Sequence, residues 1–456
     1  MDKQRLYSSQ CEFSASIWSI RLPKLITAVV ILFIIAIPAY SQPSAPTITK
    51  LSNGLTLIVQ EDHVTDLVGV DVWVKTGSGN ESKKNNGVSH FIEHLLFGAT
   101  AKRQPGDMDR EMESVGATLD AHTGKDYTHF STTVSSRYLV KALDIFADAV
   151  GSSQFRNEDI ERERPIILDE IAKKLNDPAL VCRDLLSKEL YGDHSYSLPI
   201  EGTPDTVKNI SRRDILDYYH RYYVPGNIAV VLVGDIDKQT VTSEVERAFS
   251  SLSGALPQKQ NSTDIKPLTS RLEKSVKASF QSTYLAIGFL GPSAANLEDV
   301  CATDVLITYL GLGYHSWMAD KLKGEQKLAQ DVSADFLTQR EPGLISLIAS
   351  TTDAARAKEA ILAKLTDLRS HNISPGDLEV AKRSLLGQYA FQCETFGGRA
   401  NSYGFYYAES DPAFASKYVD CVQSVTEDAV LKAAQKYLNP DSAMILIVGP
   451  DQGGEK

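Results

Sequence analysis

The sequence predicts an α+β fold of two homologous domains, each a mostly antiparallel sheet covered by helices. Three observations predict it. Strand-like apolar runs follow one another while helical segments come in blocks, which suggests layers and not a strictly alternating parallel sheet. The stretch RYYVPGNIAVVLVG at 221–234 aligns without a gap with KYLNPDSAMILIVG at 436–449, at an offset of 215. The 456 residues leave room for more than one domain.

Composition narrows the function classes. Hydrophobic residues make up 43% and charged residues 23%, as expected of a globular chain and not a disordered one. The net charge of −11, without a block of like charges, argues against a nucleic-acid partner.

The elements follow in chain order. Leu25 to Ile37, LITAVVILFIIAI, is apolar except for Thr27, and Arg21 and Lys24 precede it. At 1.5 Å per residue it spans roughly 20 Å, too short for a ~30 Å hydrocarbon core. With Ala39 and Ser41 placed for cleavage, residues 1–41 read as a secretory signal, and the mature chain is expected in the periplasm or outside the cell, free of the membrane. A retained anchor, as on a membrane-bound assembly factor, is the competing reading. Residues 42–253 form the first domain, the polar segment 254–267 the linker and 268–456 the second domain.

Strand signals in the first domain begin at Leu55, Leu67, Thr128 and Ile228; in the second they begin at Tyr284, Leu344 and Ala443. Ser211 and Thr426 are placed to cap equivalent helices before the repeated Tyr–Pro–strand–Gly order. Cys182, Cys301, Cys393 and Cys421 follow the leader without a C-x-x-C pair, so a cysteine metal site is not expected. Four cysteines allow three disulfide pairings, which sequence does not choose among.

Val88 to Phe97 has helical apolar spacing and Gly98 as a stop. His90 and His94, four apart, therefore stand one turn above each other, with Glu93 at the edge of their face. Two imidazoles on one face can hold Zn²⁺, and Glu93 is placed to take a proton from an attacking water. H-x-x-E-H is the inverted zinc-peptidase pattern. Zinc needs a third protein ligand. The candidate segment is the charged helix Asn157 to Leu175, with Asn157 as its expected cap. Residue patterns alone leave Glu161, Glu163, Asp169 and Glu170 open as ligands.

GVSHFIEHLLFGAT resembles the zinc helix of the pitrilysin/insulysin-type zinc peptidases, which include the mitochondrial processing peptidases and their bacterial relatives. The resemblance extends over nearly the whole mature chain, and LGLGYHSWMADKL from Leu310 resembles the start of the family's second domain. It implies Glu170 as third ligand, Glu163 as the carboxylate behind a ligand and one Zn²⁺ per chain. It departs at Pro165, which removes a backbone donor inside the ligand helix and implies a kink before Glu170. In GGRANSYGFYYA, the resemblance implies that Arg399 and Tyr406 act at the zinc site. Residues 117–134 resemble the substrate-binding edge strand and its neighbour, implying that Ala117, Thr118, Leu119, Asp120 and Ala121 bind an extended peptide. Asp120 stands where relatives are expected to have asparagine and suggests a preference for basic substrates. His122 and His129 receive no ligand role.

The implied activity is zinc-dependent endopeptidase action on peptides or unfolded segments. The implied assembly is a homodimer, or a pair with a related chain, closing a chamber. The alternative is a non-catalytic structural or peptide-holding subunit of the same fold.

Overall fold

The computed structural model describes residues 45–257, 263–313 and 315–450; the leader lies outside the described residues. Two sheets carry the chain. The first runs β1 (Thr47–Lys50), β2 (Thr56–Glu61), β6 (Ile228–Gly234), β3 (Leu67–Val74), β5 (Thr128–Ser135), β4 (Asp120–Thr123) from edge to edge. The second runs β7 (Leu272–Lys277), β11 (Met444–Gly449), β8 (Thr283–Leu290), β10 (Leu344–Thr351), β9 (Asp331–Leu337). Apart from β1 the two orders match strand for strand. In each, only the first of these matched pairs is parallel, β2 with β6 and β7 with β11. The 215-residue repeat is therefore a repeat of topology.

The helices of the first half are α1 (Val88–Leu96), α2 (Asp107–Glu113), α3 (Leu139–Ser152), α4 (Asn157–Lys174), α5 (Pro178–Tyr191), α6 (Pro204–Asn209), α7 (Arg212–Tyr222) and α8 (Lys238–Ala248). Those of the second are α9 (Leu297–Gly311), α10 (Ala354–Leu368), α11 (Pro375–Gln392), α12 (Phe396–Glu409), α13 (Ala413–Ser424) and α14 (Glu427–Tyr437). Ser211 caps α7 through the Asp214 N–H and Thr426 caps α14 through the Ala429 N–H. Asn157 does not cap α4: it is the first helical residue, Arg156 precedes it, and Glu158 and Asp159 supply the first-turn negative charge. The helix continues through Pro165 to Lys174.

Strand alternation splits the first sheet into two buried faces. Val68, Val70, Val72 and Val74 pack with Phe91 and Ile92 of α1, Leu143 and Phe146 of α3, and Ile215 of α7. The other face, with Ile58, Trp73 and Val231, joins a core built mostly from the second half. The reason is an exchange of helices. α12 of the second half lies on β3 and β6, while α5 of the first half lies on β8, β10 and β11. Cys182, Leu186 and Leu190 of α5 share a cluster with Ala286, Ile348 and Met444. The sheets divide near the expected linker, whose residues 258–262 are outside the described residues, but the packing does not divide there.

Candidate metal centre

α1 starts at Gly87, which has φ 95° and no side chain to cap the helix. Glu81 does that work from outside. Its Oε2 accepts from the Gly87 N–H at 2.7 Å and Asn86 Nδ2 at 2.8 Å, and its Oε1 accepts from the Ser89 N–H at 2.8 Å. A carboxylate there satisfies N–H groups that the helix leaves unpaired. Burial pushes the Glu81 carboxyl up, and the bonds from Ser89, Gly87 and Asn86 oppose it. Val88, Phe91, Ile92, Leu95 and Leu96 then bury one side of α1. His90, Glu93 and His94 remain on the partly covered side.

α4 is held against α1 by Ile160, Ile167 and Ile171, all in the same core. Its seven-residue repeat aims two carboxylates at His94. Glu163 Oε2 lies 3.5 Å from His94 Nδ1, and Glu170 Oε2 lies 3.2 Å from His94 Nε2 and 3.8 Å from His90 Nε2. Glu161 and Asp169 point elsewhere, paired with Arg164 at 2.8 Å and Lys173 at 2.6 Å on the exposed side. The four acids left open by the sequence thus separate into two at the histidines and two in solvent.

The donors suit zinc. One nitrogen of each histidine and one oxygen of Glu170 all lie within 4.8 Å of one another. Tetrahedral bonds of about 2.0–2.1 Å place ligand atoms about 3.3 Å apart, and the Nε2–Oε2 separations straddle that value. Glu163 beside Nδ1 selects the His94 tautomer whose Nε2 lone pair is free for a metal. His90 has no such partner, for its Nδ1 is buried without a hydrogen bond. Burial, with the neighbouring His94, pushes His90 down to about 4, leaving it neutral as a ligand must be. For His94, burial acts downward, but the bond to Glu163 and the nearby Glu170 and Glu93 carboxylates raise it overall.

Glu93 is held by Thr123 of β4, whose Oγ1 donates to Glu93 Oε2 at 2.5 Å. Burial raises the Glu93 carboxyl, with the Thr123 bond opposing. That environment suits a group that takes and returns a proton. Sequence reasoning missed Thr123 and Glu81, because a threonine in a strand and a glutamate in a loop carry no pattern that announces them.

β4 is an edge strand of the first sheet, paired among the described residues only with β5. It begins at Asp120, so Ala117, Thr118 and Leu119 precede it in irregular backbone, and only Asp120 and Ala121 of the expected binding set lie on the strand. His122 is exposed opposite His129, whose ring stacks on Trp73 at 4.2 Å.

Arg399 and Tyr406 share one face of α12, and their contacts within this chain are with residues other than His90, His94 and Glu170. Arg399 Nη2 pairs with Asp62 at 2.8 Å, beside Gln60. Tyr406 is 6% exposed and packs with Phe405, Phe414 and Tyr418. A second seven-residue pair on the same helix sets this orientation. Gly397 and Gly404 form the face that meets the sheet, which turns Tyr406 toward α13 and its own half.

Residues 56–204 match the family described as insulinase (peptidase family M16), and residues 209–385 match the peptidase M16 inactive domain. The chain belongs to peptidase family M16. Within this M16 chain the inactive-domain match falls on the half without a His-x-x-Glu-His sequence. It is 26% identical to the "Uncharacterized zinc protease YmxG" of Bacillus subtilis over 355 residues, 77% of this chain and 85% of that one. It is 26% identical to an "Uncharacterized zinc protease" of Rickettsia felis over 412 residues, 89% of this chain and 97% of that one. Among solved structures, a protease from Helicobacter pylori superposes with a TM-score of 0.84 at 23% identity, covering 90% of this chain and all of the other. The first half of the periplasmic protease PqqL from Escherichia coli gives 0.72 at 17% identity, covering 90% and 93%. These two likenesses show the M16 fold.

Proposed function

We propose that this M16 chain is a zinc-dependent endopeptidase that hydrolyses peptides or unfolded segments bound as an extended strand. The observation that carries the reading is the convergence of His90, His94 and Glu170, from two helices, beside a partly buried Glu93. One Zn²⁺ held there would supply Lewis acidity, lowering the pKa of water toward about 7 and polarising the scissile carbonyl. Glu93 takes the proton of the attacking water and returns it to the leaving amine. Thr123 fixes the Glu93 carboxylate, and Glu163 fixes the His94 ring. β4 offers its free edge to the substrate backbone, with exposed Asp120 at its start favouring basic side chains. Arg399 and Tyr406 are kept as the oxyanion donors that the resemblance implies, and within this chain they contact Asp62 and Phe405, Phe414 and Tyr418.

The domain limits 42–253 and 268–456, an exported location and a homodimer or related-chain pair complete the proposal. Export rests on the apolar run at 25–37 and pairing on the resemblance to chamber-forming peptidases.

The test compares two variants with the parent chain. Glu93→Gln is expected to keep zinc and lose activity by about 10²–10⁴-fold, while His94→Ala loses both metal and activity. Peptide cleavage and metal content measured on the same samples check this. A fully active Glu93→Gln chain would overturn the mechanism.

A further inference from the structure

Glu170 comes from one helix and the histidines from another, so something must set the distance between them. Lys174 stands one turn beyond Glu170 on the same face of α4. Its Nζ lies 2.7 Å from Glu201 Oε2 and 2.7 Å from Asp184 Oδ2, and its side chain is 14% exposed. Glu201 leads into Gly202, and these two residues press on the start of α1. A Cβ on Gly87 would stand 2.7 Å from the Glu201 carbonyl oxygen, and one on Gly202 would stand 2.6 Å from that of Asn86. Both glycines have positive φ, 95° and 82°. Asp184 belongs to α5, the helix that the second sheet holds.

We infer that Lys174 is a positioning residue for the metal centre, joining the Glu170 helix to the loop that braces the His90 helix and to the helix gripped by the second half. The inference rests on the zinc reading of the site and gives the half that lacks metal ligands a task in it. Removing the ammonium leaves the Asp184 and Glu201 carboxylates without the cation they share, and α4 loses its ionic tie to the loop at the start of α1, just past the third ligand.

The experiment uses the whole chain. Zn²⁺ affinity is measured by competition with a chromophoric chelator, and the visible spectrum of the Co²⁺-loaded protein reports ligand geometry. Lys174→Met and Glu201→Gln are expected to weaken zinc binding by about 10–100-fold and to shift the Co²⁺ bands, with the far-ultraviolet circular dichroism unchanged. Lys174→Arg, which keeps the charge, recovers most of the affinity. Should Lys174→Met fail to fold, the nearly isosteric Glu201→Gln decides the matter. Variants that fold and bind zinc as tightly as the parent overturn the positioning role and leave the zinc reading standing. A parent chain that binds no zinc overturns both.

Discussion

Asp71 shows what single residues can and cannot disclose. It sits in the middle of β3, fully buried, with Oδ1 lacking a hydrogen bond and Oδ2 accepting from the Trp73 indole at 3.3 Å. Burial pushes its carboxyl up to about 8, against the smaller pull of the indole. Because the folded value lies above the unfolded one, near 3.9, the folded state binds more protons between them. Its contribution to stability is therefore full below about pH 4 and is lost as pH rises toward about 8. Asp71→Asn is expected to leave the melting temperature unchanged near pH 4 and to raise it increasingly up to about pH 8, as a calorimetric series across pH would show. LVGVDVWV reads as a strand from its sequence, yet nothing in it says that the acid side is covered by another half of the molecule. The same limit separates the site residues. His90, Glu93 and His94 were legible because helical spacing alone puts them on one side. Glu170 needed the family resemblance to be chosen, and Thr123 meets Glu93 only through tertiary packing. For Arg399 and Tyr406, seven-residue spacing gives a shared face without saying which way that face turns.

At the scale of elements, apolar strands were legible and polar ones were not. β3, β5 and β6 begin where their apolar or β-branched runs begin. β7, LEKSVK, is almost wholly exposed and is held by its parallel partner β11, so it has no alternation to read. Pro165 removes a backbone donor inside α4, and the helix continues through it where Ile160 and Ile167 anchor both sides. α12 is the element whose placement depends most on one small residue. A Cβ at Gly404 would stand 1.9 Å from Trp73 Nε1, and Trp73 is sandwiched between α12 and His129. Helix propensity alone favours alanine over glycine by about 1 kcal/mol. The clash acts the other way and dominates, since overpacking a core costs about 1–3 kcal/mol or more and the indole cannot move aside. Gly404→Ala is expected to lower the denaturant midpoint and to shift tryptophan emission to longer wavelength. An unchanged midpoint would mean that α12 does not lie this close to the sheet.

At the scale of the molecule, the two halves are not independent bodies, although the repeat in sequence suggests that they are. Each sheet has one face covered by a helix from the other half. The first half alone would expose Ile58, Trp73 and Val231 and leave α5 without its sheet. Residues 42–253 produced alone are expected to lack the near-ultraviolet dichroism of the whole chain and to bind zinc weakly. Co-production with residues 268–456 restores both, and size-exclusion chromatography then finds the pieces together. The repeated topology was legible because the Tyr–Pro–strand–Gly order recurs; the exchange was not, since it depends on where helices lie and not on which segments are helical. The brevity of β4 has its own consequence. Four residues give a visiting chain only a short ladder, and the exposed carboxylate of Asp120 stands at its entrance. An exposed charge on so short an edge disfavours pairing with the edge of another copy, so β4 is guarded against fibrous self-association.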